Sequence, residues 1–531
     1  MSLGLERESL METTVSHPDP SRGVAELLAM DQFTLSPRQH EARTRTDQWM
    51  RRLGLPIGIA AFLALLLAPL PAGLTQPGLR AAAAFALALV WWVCEPIPTH
   101  VTSLVLMVLL VITGAQDPTR VMSVLGLDVI WLNVLAFILS AMLVKTHLAK
   151  RVALALIARF GRRASWALGA FVLLQLVLAP LIPATAARAA ITLPLMIAVA
   201  AIYGSTAEHP TNFGRGMFLV NLAGISILSS TVMTGSAANV MAVGFIQSLG
   251  GHRVYYSDWL IAAAPIAILT MLATWLITPR FVFPLAPTDR APVIPGGMDS
   301  VAKERSKMGS MSGREWRAVA IFALVIFLWA TDRFHKQWFG VELGAPFAAM
   351  IGAVIALSPR IGLLSWEETD IPWHLMIFSA GAYAGGLALE NTGAAAWAVH
   401  KVFGGMQLER VAFGWTYAAV LAVMLYSHLL STSKTVRTVI MIPAIILMAR
   451  GLGWEPASLA LPAAFTIDWV IGLPISGKPN VILFGTNQYS VKDNLVFGLI
   501  VCTIGYVLLL VAGATWFHWL GMTPAFGAVM P

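Results

Sequence analysis

Charge is scarce in this chain. Only 12% of its 531 residues are Asp, Glu, Lys or Arg, about half the share usual in soluble domains, while 57% are hydrophobic. Cysteine is nearly absent. Cys94 and Cys502 both lie in apolar stretches, so neither a disulfide framework nor a cysteine-based metal site is expected. Catalytic signatures are missing as well. There is no His-Glu-x-x-His, no Gly-x-Ser-x-Gly nucleophile setting and no paired aspartates within an apolar stretch, which argues against an intramembrane enzyme. Residues 1–52 are polar and charged, and no early apolar core marks a signal peptide.

What recurs instead is apolar sequence in runs near span length, such as 57–74, 81–93, 101–113, 129–144 and 495–514. These predict an all-α polytopic membrane protein. The spacing predicts about eleven spans, at 55–74, 79–94, 98–114, 125–147, 215–248, 258–279, 316–332, 342–358, 371–391, 458–487 and 494–519. Two hairpins, 164–204 and 409–450, are expected to enter and leave on one side. The organisation that follows is a disordered cytoplasmic arm (1–52), a first transmembrane repeat (53–284), a cytoplasmic loop (285–315) and a second repeat (316–531).

The net charge is +8, from 35 basic against 27 acidic residues. In a membrane protein such an excess reflects cytoplasmic loops, so nucleic acid is not an expected partner. Arg38, Arg43, Arg45, Arg51 and Arg52 abut the first span and place the N-terminus in the cytoplasm. The C-terminus carries no charge after Asp493, which suits an external end.

An internal repeat is legible. Trp131–Gly161 and Trp373–Gly404 share a span, a turn and an amphipathic segment about 242 residues apart. Asn239-Val240-Met241-Ala242-Val243-Gly244 and Asn480-Val481-Ile482-Leu483-Phe484-Gly485 recur 241 residues apart. An odd number of crossings separates the units, so the repeats should be inverted. Inverted repeats with interrupted helices are the sign of a secondary transporter.

Four apolar segments are broken. Two are the hairpin tips, around 183–188 and 432–437. The others are 229–239 and 473–480. Non-helical backbone at membrane depth is tolerated only where it lines a cavity or is buried in protein. Each tip carries an arginine, Arg188 and Arg437, six residues before a proline and 249 residues apart. A charge at the centre of a bilayer costs at least about 2.5–3.5 kcal/mol. Two readings are open. The arginines could tie up free carbonyls or snorkel to an interface. They could also hold an anion, because a guanidinium fork and a half-helix N-terminus both suit an oxyanion. Their symmetric placement favours the second. Thr185, Thr432, Ser433 and Thr435 are suitable first-turn residues. Lys434 and Lys478 add cations, and Asp468 is the nearest acid. His428 reads as a packing residue before it reads as a proton carrier, and Glu95 as a helix cap. Lys434, Asp468, Lys478 and His428 are the candidate ion-coupling groups.

Trp91-Trp92-Val93-Cys94-Glu95-Pro96-Ile97-Pro98 resembles the early tryptophan–glutamate–proline segment of the divalent anion:sodium symporter family. Leu473-Pro474-Ile475-Ser476-Gly477-Lys478-Pro479-Asn480, with Tyr489, Asp493 and Gly498, resembles its late signature. The resemblance runs from about residue 79 to the C-terminus. It implies a carrier of dicarboxylates, tricarboxylates or sulfate that works as a homodimer by elevator motion in a bacterial inner membrane. In that family each tip carries a Ser-Asn-Thr motif, which helps to ligate Na⁺ in the sodium-coupled members. Here those positions are Ala184, Thr185 and Ala186 at the first tip and Ser433, Lys434 and Thr435 at the second. Two of three motif oxygens are lost at the first tip, and an ammonium stands in the Asn position at the second. Pro183 and Arg188 resemble the sodium-independent exchanger branch, although that branch usually carries His where Arg437 stands.

The expectation is therefore Na⁺-independent exchange of dicarboxylates, with no cofactor and with Na⁺ binding disfavoured. Thr185, Arg188, Asn239, Ser433, Lys434, Thr435, Arg437 and Asn480 are the substrate-binding candidates. An H⁺- or Na⁺-coupled symporter and a carrier of sulfate or another inorganic oxyanion are the alternatives.

Overall fold

The computed structural model describes residues 45–294, 296–403, 411–429 and 433–529. Among them there are helices and no strands. The first helix, Arg45–Leu66, begins inside the stretch expected to be a disordered arm, so Arg45, Arg51 and Arg52 stand on a helix. Arg51 reaches Glu95 at 3.1 Å. Glu95 ends the next helix, Gln76–Cys94, in a left-handed conformation with φ 46°. Thr75 caps the start of that helix by accepting from the Gly78 N–H. The rest of the arm, residues 1–44, lies outside the described residues.

From Asp128 onward one order of elements occurs twice. In the first half it is Asp128–Lys145, the amphipathic Leu148–Phe160, the hairpin legs Ala164–Leu178 and Thr185–Ile202, and the interrupted pair Asn212–Ile227 and Ala237–Ser248. A long helix, Tyr256–Ile277, follows. In the second half it is Trp373–Asn391, Ala394–Phe403, the legs Phe413–Tyr426 and Lys434–Gly451, the pair Pro456–Ala464 and Lys478–Phe484, and Val491–Ala514. The second hairpin legs have 18 residues each and lie 249 apart in sequence, whereas Asn239 and Asn480 lie 241 apart. Part of this slip is visible in the links. Residues 203–211 join leg to broken helix in the first half, and only residues 452–455 do so in the second.

Seven described helices are long and apolar enough to cross a membrane, or eight if Gly313–Ala330 and Asp332–Phe339 form one bent span. The eleven expected spans exceed this because several are interrupted. Ala164–Leu178 has 15 residues, about 22 Å at 1.5 Å per residue, against a hydrocarbon core of about 30 Å.

The segment expected as a cytoplasmic loop, 285–315, carries structure of its own. It contains the helix Gly297–Lys307, which buries Met298 and Val301. The N–H groups of Val293 and Ile294 both donate to the Ile202 carbonyl, at 2.8 and 3.2 Å, capping the end of a hairpin leg. Arg151 binds Glu315 at 2.5 Å and also donates to the Gly309 and Met308 carbonyls, at 2.8 and 3.1 Å. Hydrogen bonding from Arg151 holds the Glu315 carboxyl below the usual carboxylate range. A depressed folded-state value stabilises the fold above the unfolded value, near 4.5, and the stability is lost as pH falls through the folded value. Glu315→Gln is therefore expected to cost about 1.5–3 kcal/mol near neutrality. Thermal unfolding of both proteins between pH 7 and 3 checks this: the gap should narrow on acidification, and a constant gap would contradict it.

Candidate functional site

At each hairpin a new helix starts just after the tip, at Thr185 and at Lys434. At the first, Ala184 is extended and offers no side-chain cap, so the new helix opens on Thr185 with its first N–H groups free. At the second, Ser433 is the cap and its hydroxyl accepts from the Val436 N–H at 3.3 Å. Thr432 lies outside the described residues. One turn further in, Arg188 is completely buried and Arg437 is 3% exposed.

Each guanidinium faces the broken helix pair of its own repeat. Arg188 Nη2 donates to the Ile225 carbonyl at 3.1 Å, to the Gly235 carbonyl at 3.3 Å and to the Ser229 hydroxyl. Arg437 Nη2 donates to the Ile467 carbonyl. The carbonyl-binding reading of these arginines thus holds for one nitrogen of each. The other two, Nε and Nη1, are buried in both residues and have no partner. Each unmet buried donor costs about 1–3 kcal/mol, more for a charged group. Such groups call for a ligand or ordered water.

Asn239 and Asn480 do the same work in the two breaks. Asn239 Nδ2 donates to the carbonyls ten and seven residues before it, Ser229 at 3.0 Å and Val232 at 3.5 Å. Asn480 Nδ2 donates to Val470 at 2.8 Å and Leu473 at 2.9 Å, again ten and seven residues back. Each amide clamps the non-helical backbone that helix interruption leaves unpaired. Both Oδ1 atoms are buried without a partner.

Gly235 permits the close turn of the first break, since a Cβ there would lie 2.0 Å from the Ser229 carbonyl oxygen. Gly235→Ala is expected to destabilise the protein by at least about 1–3 kcal/mol through overpacking. A melting temperature equal to that of the wild type in the same detergent would contradict this packing.

Lys434 brings the halves together. Its ammonium lies 2.5 Å from Asp468 Oδ1 and 3.3 Å from Thr185 Oγ1. Asp468 is 1% exposed, and its Oδ2 has no partner. One side chain therefore links both tips and the second break. Thr435 is half-buried in the same turn.

Two candidates stand apart. His428 is buried with both ring nitrogens engaged: Nδ1 faces the Leu425 carbonyl at 2.6 Å, and Nε2 accepts from the Gly472 N–H at 3.2 Å. These partners suit a neutral ring that fastens hairpin to break. Lys478 is exposed at the start of Lys478–Phe484, and no hydrogen bond or ion pair joins it to the cluster among the described residues.

In the sequence, Ser229 and Ser230 stand out only as part of a break. Ser229 binds Arg188, and the Ser230 hydroxyl accepts from Trp469 Nε1 of the other repeat at 3.1 Å. The recurrence of hydroxyls at the break was the available signal, but nothing in the sequence paired it with Trp469. Two sizeable cavities, of about 250 and 590 Å³, lie away from the arginines. No cluster of three metal-ligating side chains occurs among the described residues.

Residues 48–523 match the family described as the sodium:sulfate symporter transmembrane region. The chain belongs to this family. It is a membrane transporter of small anionic substrates and not an enzyme. A protein of Cupriavidus necator described as a membrane protein is 28% identical over 488 residues, covering 88% of this chain and 93% of its own. The sodium-dependent dicarboxylate transporter SdcS of Staphylococcus saprophyticus is 27% identical over 476 residues, covering 86% and 89%. The crystal structure of the YdaH transporter of Alcanivorax borkumensis superposes with a TM-score of 0.51 at 15% identity, over 91% of this chain and 99% of that one. At that identity the likeness speaks for the helical transporter fold alone. Membership of the family agrees with the resemblance read from the tryptophan–glutamate–proline segment and the late signature.

Proposed function

We propose that this transporter exchanges one dicarboxylate for another, without Na⁺, across a bacterial inner membrane. The observation that carries the reading is the pair of buried guanidiniums, each with two unpartnered nitrogens, at matching positions of the two repeats. Arg188, Arg437 and Lys434 are three cations, and Asp468 is one anion, so the cluster holds two positive charges in excess. A dicarboxylate would neutralise them. Without it, the charges would cross a low-dielectric path unpaired, at a cost of several kcal/mol per ion. An empty carrier of this kind should cross poorly, which makes transport an exchange.

Lys434 supports the absence of Na⁺, because an ammonium already sits between Thr185 and Asp468 and would repel a second cation. The hydroxyls of Thr185, Ser433 and Thr435, with the free N–H groups at the start of Thr185–Ile202, are suited to carboxylate oxygens. The family resemblance supports elevator motion and a homodimer. The basic residues beside the first span support a cytoplasmic N-terminus, and the absence of charge after Asp493 suits an external C-terminus. Na⁺ coupling is the second reading. It is favoured by the buried, unpartnered oxygens of Asn239, Asn480 and Asp468 and by the sodium-dependent relatives.

Reconstituted protein tests both readings. Labelled succinate should enter liposomes preloaded with unlabelled dicarboxylate, equally with and without Na⁺, and should not accumulate in empty ones. Accumulation in empty liposomes driven by an inward Na⁺ gradient would replace the proposal by the second reading. A requirement for an inward proton gradient would point to H⁺ coupling, and competition by sulfate stronger than by dicarboxylates would change the substrate.

A further inference from the structure

A groove of about 250 Å³ runs between the hairpin leg Ala164–Leu178 and the helix Tyr256–Ile277, away from the arginine cluster. Its lining is almost wholly apolar and includes Leu173, Ile268, Met271 and Leu272. Leu173, Ile268 and Leu272 are 39%, 40% and 43% exposed, so the groove opens sideways, where hydrocarbon surrounds the protein.

One end of the groove is closed by three aromatic rings. Phe160 stacks on Trp166 with centroids 6.2 Å apart, and Trp166 meets Trp275 at 5.4 Å. Trp275 donates to the Ser165 carbonyl at 2.6 Å, which fastens the two walls together. Gly169 lets the Trp275 ring lie against the hairpin leg, since a Cβ there would come within 2.9 Å of it.

That end is cationic. The Arg159 guanidinium sits 5.5 Å from the Phe160 ring centre. Arg163 is the residue that precedes the hairpin leg. Arg280 follows Trp275 by five residues and donates to the Leu276 carbonyl at 2.8 Å. All three are exposed. None has a carboxylate partner among the described residues, whereas the neighbouring Arg162 is paired with Asp299 at 3.3 Å.

We propose that this groove binds an anionic phospholipid, with one acyl chain along Leu173 and Met271 and the phosphate at Arg159, Arg163 and Arg280. Aromatic rings at the junction between charge and hydrocarbon suit the interfacial level of a bilayer. Each basic residue near a membrane surface favours anionic lipid by about fivefold. A peptide would need polar partners for its backbone, and the lining offers almost none.

The test is native mass spectrometry of the full-length protein in detergent, with phosphatidylglycerol or phosphatidylcholine of identical chains added. The wild type should retain phosphatidylglycerol at least about tenfold better. R159Q/R163Q/R280Q should lose that preference, and R159K/R163K/R280K should recover it. Leu173→Trp, which fills the groove, should reduce retention of the lipid while leaving the arginines in place. Equal retention of the two lipids by the wild type, or an unchanged preference in the glutamine variant, would overturn the proposal. So would equal competition by free glycerol 3-phosphate, because the groove would then contribute nothing. The folding of each variant is checked by its elution as a single symmetric species.

Discussion

Arg188→Ala and Arg437→Ala are each expected to reduce dicarboxylate exchange by about 30-fold to a few thousandfold. Truncating one member of a desolvated charge pair costs about 2–5 kcal/mol, and 1.4 kcal/mol is a tenfold change. Both arginines are almost wholly buried, and each also holds backbone of its break. Loss of flux alone would therefore not separate a substrate contact from a structural tie. The lysine variants separate them. A lysine restores the charge but not the planar fork. Arg188→Lys or Arg437→Lys should recover part of the exchange, with a raised KM. If exchange were lost equally in the alanine and lysine variants while melting temperatures stayed level, charge would not be what the site uses. If the alanine variants exchanged at the wild-type rate, the proposed site would be wrong.

The second large effect concerns Lys434. Lys434→Asn removes the ammonium that joins Thr185 to Asp468 and lowers the cluster from two excess positive charges to one. Exchange in Na⁺-free medium should fall by about 10- to 100-fold. Asp468 loses its partner and becomes a buried carboxylate that favours any cation able to enter. Uptake stimulated by Na⁺ should then appear, rising with Na⁺ concentration, where the wild type shows none. A variant that exchanged normally and stayed indifferent to Na⁺ would show that Lys434 does not stand in for a coupling ion. A wild type already stimulated by Na⁺ would remove the basis of the experiment and of the proposal together. Asp468→Asn is the complementary change. It leaves three excess positive charges and should shift preference from dicarboxylates toward tricarboxylates.

Much of this was legible in the residues because a bilayer narrows the choices. Sparse charge and long apolar runs admit only helices at membrane depth. Against that background an arginine, or a cluster of Ser, Thr and Gly, is conspicuous. Arg188 and Arg437 could be picked out because each breaks an otherwise apolar segment, and the repeat could be seen because Asn239 and Asn480 begin similar strings. Helix count was less legible. Half-helices such as Ala237–Ser248 and Lys478–Phe484 have the composition of spans without their length. The helix Gly297–Lys307 inside the 285–315 loop was not legible either, because it buries only a few apolar residues, Met298 and Val301 among them.

What the sequence determined by itself was membrane insertion, the twofold repeat and the family, since each rests on patterns along the chain that survive without knowledge of neighbours. Which groups meet was decided only by the tertiary structure. Lys434 finds Thr185 from 249 residues away, Trp469 finds Ser230 from 239, and His428 turns out to fasten backbone. No local pattern encodes such pairings. They exist because burial leaves each polar group a choice between a partner and a penalty, and packing in three dimensions settles which partner is within reach.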